Sequence, residues 1–240
     1  MFFLDAFHWS QLLQPQFYID NGGLWLVLFI IFAETGLFAG FFLPGDSLLF
    51  VAGIFSTQLA ASLYDTGSDF INLLMIIALA SFAGIIGNTV GYWFGRKIGP
   101  AMFTWRDRFL FKKRYLYQAR DFYEKHGGGA IIFARFLPIV RTFAPIVAGI
   151  VGMDRKKFGF FNIVGSIAWT ASMLAGGHYL QKLFLEEFNY DLKEHLEVIV
   201  LGIVLVTTAP VLLKIFFGKR HPSEPIEPVE ESETINQSRK

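Results

Sequence analysis

Cysteine is absent from the 240-residue chain, which excludes disulfides, thiolate nucleophiles and iron–sulfur ligation. Positive charge is absent from its first part: the first lysine or arginine is Arg96, so the N-terminus lacks the basic opening of a cleaved signal peptide. Net charge is scarce as well, at +1, and no basic face interleaved with aromatics offers a surface to nucleic acid. The five histidines are scattered without metal-ligand spacing, and no metal or cofactor is expected. None of them sits in the Ser-Arg and His-Asp setting of an acid-phosphatase-type enzyme, and the clustered aspartates of alcohol phosphotransferases are missing, so enzymatic activity is not expected either. What the chain has in excess is apolar surface. With 53% hydrophobic residues, 28 phenylalanines and a mean hydropathy of +0.45, it reads as an all-α integral membrane protein.

Residues 1–20 alternate Phe2, Phe3, Ala6, Phe7 and Leu13 with Asp5, His8, Gln11 and Gln14, a pattern that suits an amphipathic helix lying in the membrane interface. Residues 22–61 are apolar except for Glu34 and Asp46, with Pro44-Gly45 as a turn signal; a helical hairpin that enters and leaves on one side is expected. Residues 70–95 carry no charge and suffice for a tilted transmembrane helix. Gly87, Gly91 and Gly95 fall four apart there, so one face admits another backbone, and Asn88 beside that seam needs a hydrogen-bond partner and reads as a packing residue. Residues 96–126 hold nine basic side chains against three acids, which marks them as cytoplasmic.

Arg155-Lys156-Lys157 is basic again. If the apolar stretch between these clusters crossed the membrane, one of them would lie outside, so residues 130–153 are expected to form a second re-entrant hairpin. Residues 158–181 and 198–217 read as further spanning helices, separated by an acid-rich external loop at 182–197. Residues 218–240 read as a disordered cytoplasmic tail. The N-terminus is then outside and the C-terminus cytoplasmic. Two oppositely oriented hairpins plus about three transmembrane helices make an inverted repeat.

The centre of the pattern is the 134–149 stretch, A-R-F-L-P-I-V-R-T-F-A-P-I-V-A-G. A guanidinium at mid-membrane costs about 3 kcal/mol on insertion scales, so Arg135 and Arg141 need partners or a task. Pro138 and Pro145 each remove a backbone donor, which argues for a broken segment lining a polar cavity. An earlier stretch echoes it: F-L-P at 42–44 and V-A-G at 51–53 recur about 94 to 96 residues later, with Glu34 and Asp46 in the first copy where the second has arginines. Four unpaired charges in hydrocarbon would cost on the order of 10 kcal/mol, whereas one pair at an effective dielectric near 20 recovers about 4. Opposed hairpins are therefore expected to bring the acids to the arginines. The arginines can hold an anionic headgroup such as phosphate; Glu34 and Asp46 are then the proton carriers, released for protonation when substrate occupies the arginines. Internal salt bridges pinning the hairpins are the structural alternative, and Asp46 also suits a helix N-cap. Pro44, Gly45, Pro138, Pro145 and Asn88 are the supporting residues.

At these residues the chain resembles the bacterial DedA family of SNARE-associated, or VTT-domain, membrane proteins, with relatives among eukaryotic lipid scramblases of the endoplasmic reticulum. The resemblance is carried by Glu34-Thr35-Gly36, by F-L-P-G-D-S-L-L-F-V-A-G at 42–53, by F-Y-E-K-H-G-G at 122–128 and by the 134–149 stretch. It implies essential acids at Glu34 and Asp46, essential arginines at Arg135 and Arg141, and transport dependent on the proton motive force across a bacterial inner membrane. Some members are implicated in returning undecaprenyl phosphate across the cytoplasmic membrane. One departure is Asn88, where relatives often have an aspartate. The expected function is a flippase for an anionic lipid, undecaprenyl phosphate or a phospholipid; the alternative is a proton-coupled exporter of small ions or drugs. The expected partners are membrane lipids, the lipid phosphate and protons, with a homo-oligomer left open.

Overall fold

In hydrocarbon a backbone N–H or C=O finds no water, so an apolar chain satisfies its backbone within helices. The computed structural model describes residues 15–37, 45–104, 128–135, 138–196 and 201–203, with Tyr123, Lys125 and Ile199, and no strand occurs among them. These residues fall within one unit, Met1–Thr208, while a second, Ala209–Lys240, lies outside the described residues. The helices are α1 (Pro15–Gly36), α2 (Gly45–Ile54), α3 (Ser56–Ala61), α4 (Asp69–Thr104), α5 (Gly129–Ala134), α6 (Pro138–Ile150) and α7 (Arg155–Phe188), followed by a 3₁₀ turn at Leu192–His195.

Local chemistry explains their ends. Pro15 opens α1, where its missing N–H costs nothing, and the helix kinks at Gly23, whose φ of 52° only glycine adopts freely. Asp154 caps α7 by accepting the backbone N–H groups of Lys156 at 3.0 Å and Lys157 at 2.9 Å. Those bonds hold its carboxyl below its ordinary 3.8. Asn189 ends α7 in the left-handed conformation, with φ 50°.

Among the described residues, two helices are long and apolar enough to cross a membrane, Asp69–Gly99 within α4 and Arg155–Phe188. They lie against each other and divide the shorter helices between them: α1, α3 and α6 pack on α4, whereas α2 and α5 pack on α7. The glycine stripe of α4 permits this. A Cβ on Gly87 would run into Thr35 and the Phe32 carbonyl of α1, and one on Gly95 into the Ile146 carbonyl of α6. Gly53 of α2 and Gly177 of α7 make the matching close approach on the other side. The core joins Leu24, Val27 and Ile31 of α1, Leu48 and Leu49 of α2, Leu73 and Ile76 of α4, and Trp169 and Leu174 of α7. Outward-facing positions carry Trp25, Phe29, Phe82, Phe133 and Phe160, all exposed. So much exposed aromatic surface would be a liability in water and is the natural exterior of a membrane protein.

The structure differs from the sequence reading in places. Pro145 does not break its segment, because α6 runs through it from Pro138 to Ile150; α5 ends at Ala134 and Pro138 starts α6. Arg96 and Lys97 extend α4 rather than opening a loop, and α7 continues through the expected external loop to Phe188. Residues 1–14, Pro44, most of the 96–126 segment, most of the third expected span and the tail lie outside the described residues.

Candidate functional site

Glu34 sits in the last turn of α1 and Asp46 in the first turn of α2. The macrodipole of α2 favours an acid at its N-terminus, and that of α1 opposes one at its C-terminus, so Glu34 depends more on an outside partner. Arg141, one turn into α6, supplies it for both. One terminal nitrogen of its guanidinium pairs with Glu34 Oε1 and the other with Asp46 Oδ1. The planar fork lets one cation clasp two carboxylates from two helices. Trp169 of α7 donates its indole N–H to Asp46 Oδ1 at 2.9 Å and lies with its ring centroid 4.9 Å from the Arg141 guanidinium carbon. Asp46 thus spends its described side-chain bonds on Arg141 and Trp169 and not on capping α2. A Cβ on Gly45 would overlap the Glu34 carboxylate, so only glycine fits beside it.

Arg135, just past α5, is not brought to the acids, contrary to the expectation that both arginines would meet them. Its guanidinium donates to Asn162 Oδ1 at 2.6 Å and to the Asn162 carbonyl at 3.3 Å. The Asn88 carboxamide lies 2.9 Å from that of Asn162. With its oxygen turned to the guanidinium, Asn88 also accepts from Arg135 while donating to the Thr35 carbonyl at 3.0 Å. Arg135 therefore rests among neutral amides, and its Nε has no hydrogen-bond partner among the described residues. Gly165 of α7 leaves room for its stem: a Cβ there would come within 3.0 Å of Cδ and Nε.

Glu34 is 2% exposed, Arg135 4% and Arg141 8%, so these three are buried, whereas Asp46 is partly exposed. Two cations and two anions balance, but unevenly. With both carboxylates ionised the Arg141 clasp is net negative by one, and among the described residues no carboxylate pairs with Arg135. Pro138, at the start of α6, and Pro145, within it, frame Arg141 in sequence. Because Pro145 has no N–H, the Arg141 carbonyl lacks its helical donor.

The sequence reading passed over Asn162, Ser166 and Thr170, which recur every four residues along α7. Thr170 bonds Ser81 of α4 at 2.6 Å, and Asn162 donates to the Ile85 carbonyl at 3.1 Å. A polar stripe at helical spacing inside a charge-free span was the available signal. It also passed over a relay at the far end of α7. Ser56 Oγ lies 2.7 Å from His178 Nδ1, and His178 Nε2 lies 3.1 Å from Asp69 Oδ2. Only the fold brings these three together. Ser56 is fully buried, so the relay ties α3, α4 and α7 rather than presenting a nucleophile.

The chain matches the VTT domain over residues 43–179. It is similar to protein DedA of Escherichia coli strain K12, at 38% identity over 201 residues, 82% of this chain and 85% of that protein. An uncharacterized membrane protein of Mycobacterium leprae strain TN is 35% identical over 217 residues, covering 88% and 90% of the two chains. The inner membrane protein YqjA of Escherichia coli strain K12 is 33% identical over 162 residues, covering 67% and 69%. No solved structure matches.

Proposed function

This chain belongs to the DedA family of VTT-domain membrane proteins, and from that premise we propose that it is a proton-motive-force-dependent transporter, not an enzyme, that flips an anionic lipid phosphate across a bacterial cytoplasmic membrane. Undecaprenyl phosphate is the first candidate and a glycerophospholipid the second. The observation that carries this reading is the unequal pairing of the two buried arginines: Arg141 is clasped by Glu34 and Asp46, while Arg135, among the described residues, faces the amides of Asn162 and Asn88 and no carboxylate. A phosphate entering the enclosure is drawn to Arg135 and competes with the two carboxylates for Arg141. A carboxylate displaced from its guanidinium in an apolar enclosure is costly as an anion and is relieved by a proton. Substrate and proton thereby occupy linked positions, with Glu34 and Asp46 carrying protons and Arg135 and Arg141 holding the headgroup.

The same reading takes α1 with α2, and α5 with α6, as oppositely oriented re-entrant hairpins. Their packing supports it, since the first arm of one hairpin and the second arm of the other both lie on α4, and the remaining two arms lie on α7. The test is movement of a fluorescent short-chain polyprenyl phosphate in proteoliposomes, with and without an imposed pH gradient. Gradient-sensitive flipping by the wild type, lost in folded Glu34→Gln and Arg135→Gln, is the expected result. Folded wild type that flips no lipid would sink the lipid reading, and a saturable, lipid-independent flux of small cations or drugs would put the exporter in its place.

A further inference from the structure

Away from the charged cluster, the outer surface of α4 carries a groove of about 730 Å³. Ile86, Val90 and Phe94 recur every four residues and form its apolar wall, and Trp93 stands beside them. Exposed apolar positions are ordinary on a membrane protein. What sets this groove apart is its end, where Arg96 and Lys97 of α4 meet Arg155, the first residue of α7. Arg155 stacks over the Trp93 ring at 4.3 Å, and Arg96 is fixed by bonds to Tyr92 Oη at 2.7 Å and the Met153 carbonyl at 3.2 Å. Among the described residues, no carboxylate lines the groove.

The dimensions match a lipid. From Ile86 to Lys97 an α-helix rises about 16 Å, roughly half of a hydrocarbon core about 30 Å thick. The groove is apolar along its length and cationic at one end, the arrangement an acyl chain and its phosphate require. Its wall also reaches the charged cluster. Thr89, which lines the groove, takes a hydrogen bond from Asn162 Nδ2 at 3.3 Å, and the same Asn162 holds Arg135 through its oxygen.

We propose that this groove binds one anionic phospholipid, with an acyl chain along Ile86, Val90 and Phe94 and its phosphate between Lys97 and Arg155. The occupancy stands on the groove itself; its use as a lateral waiting position for lipid bound for Arg135 rests on the transport reading. Cations at a membrane surface favour anionic lipid by about fivefold each at low salt, and the preference weakens as salt rises.

Trp93 is the built-in reporter. Full-length protein is reconstituted with brominated phosphatidylglycerol or brominated phosphatidylcholine over the same series of mole fractions, and the quenching difference between wild type and Trp93→Phe isolates this indole. Phosphatidylglycerol is expected to quench at several-fold lower mole fraction than phosphatidylcholine, and Lys97→Gln/Arg155→Gln is expected to abolish that preference while leaving quenching by phosphatidylcholine unchanged. Arg96 is left intact because it holds Tyr92. Equal quenching by the two lipids in the wild type, or a preference that survives the double variant, overturns the proposal. Flipping measured on the same samples separates the two ideas. A lipid preference without flipping by the wild type sinks transport alone, and flipping without a preference sinks the groove alone.

Discussion

At the scale of single residues, the two buried arginines make opposite predictions. Replacing Arg141 by alanine leaves Glu34 and Asp46 without their shared cation, and removing one partner of a buried pair costs about 3–5 kcal/mol. Replacing Arg135 by glutamine orphans no carboxylate, because its partners are Asn162 and Asn88, so the expected loss of stability is within about 1 kcal/mol. Thermal unfolding in detergent should therefore show Arg141→Ala strongly destabilised and Arg135→Gln close to wild type, with flipping lost in both. An Arg135→Gln protein that is stable and fully active would remove Arg135 from the site. Gly45→Ala tests the same clasp from the side: its methyl group would occupy the space of the Glu34 carboxylate, so it should reproduce the transport defect of Glu34→Gln. The four charges were legible in the sequence because ionised groups in apolar runs are costly and stand out. Which arginine meets the acids was not. Both stand in one stretch, and the choice is made by their places just past α5 and within α6 and by Asn162, a neutral residue that charge counting passes over.

At the scale of elements, the glycine stripe of α4 was legible from its spacing alone, but not that it serves two neighbours in succession, α1 at Gly87 and α6 at Gly95. Gly95→Val should force α6 off α4 and cost about 1–3 kcal/mol by overpacking. Gly159→Ala in α7 should do the reverse. Nothing stands within 4 Å of the added methyl group, and alanine is favoured over glycine in a helix by about 0.5–1 kcal/mol. Melting temperatures of the two variants should move in opposite directions. The relay of Ser56, His178 and Asp69 joins three elements across long sequence separations and left no local trace. His178→Ala leaves buried Ser56 without the imidazole it bonds, at about 1–3 kcal/mol. Hydrogen exchange should quicken in α3 and the first turn of α4 while α6 stays protected.

For the whole molecule, pH and topology remain to be tied to the same fold. Asp65, Asp154 and Asp191 lie outside the spanning segments, and each carboxyl is held below its ordinary 3.8: Asp65 by the Asn72 side chain and the Gly67 N–H, Asp154 by the N–H groups of Lys157 and Lys156, and Asp191 by the N–H of Lys193 and the Gln181 side chain. Carboxyls lowered on folding stabilise fully above the unfolded value and lose that contribution as pH falls through the folded one. These three are therefore expected to add no pH dependence to the melting temperature between pH 5 and 8. The proposed orientation of the Arg141 clasp rests on charge. Basic clusters at both ends of the 130–153 segment can share the cytoplasmic side only if the segment turns back. On this cysteine-free background, Lys125→Cys and Lys156→Cys, both at exposed positions, should react with an impermeant maleimide from one face of the membrane. Tyr64→Cys and Glu187→Cys should react from the other. The labels are not placed at Gly128, because a side chain there would strike the Phe161 ring. Should Lys125→Cys and Lys156→Cys be labelled from opposite faces, α5 and α6 together cross the bilayer, the repeat is not inverted, and Arg141 reaches Glu34 and Asp46 by ordinary packing between spanning helices.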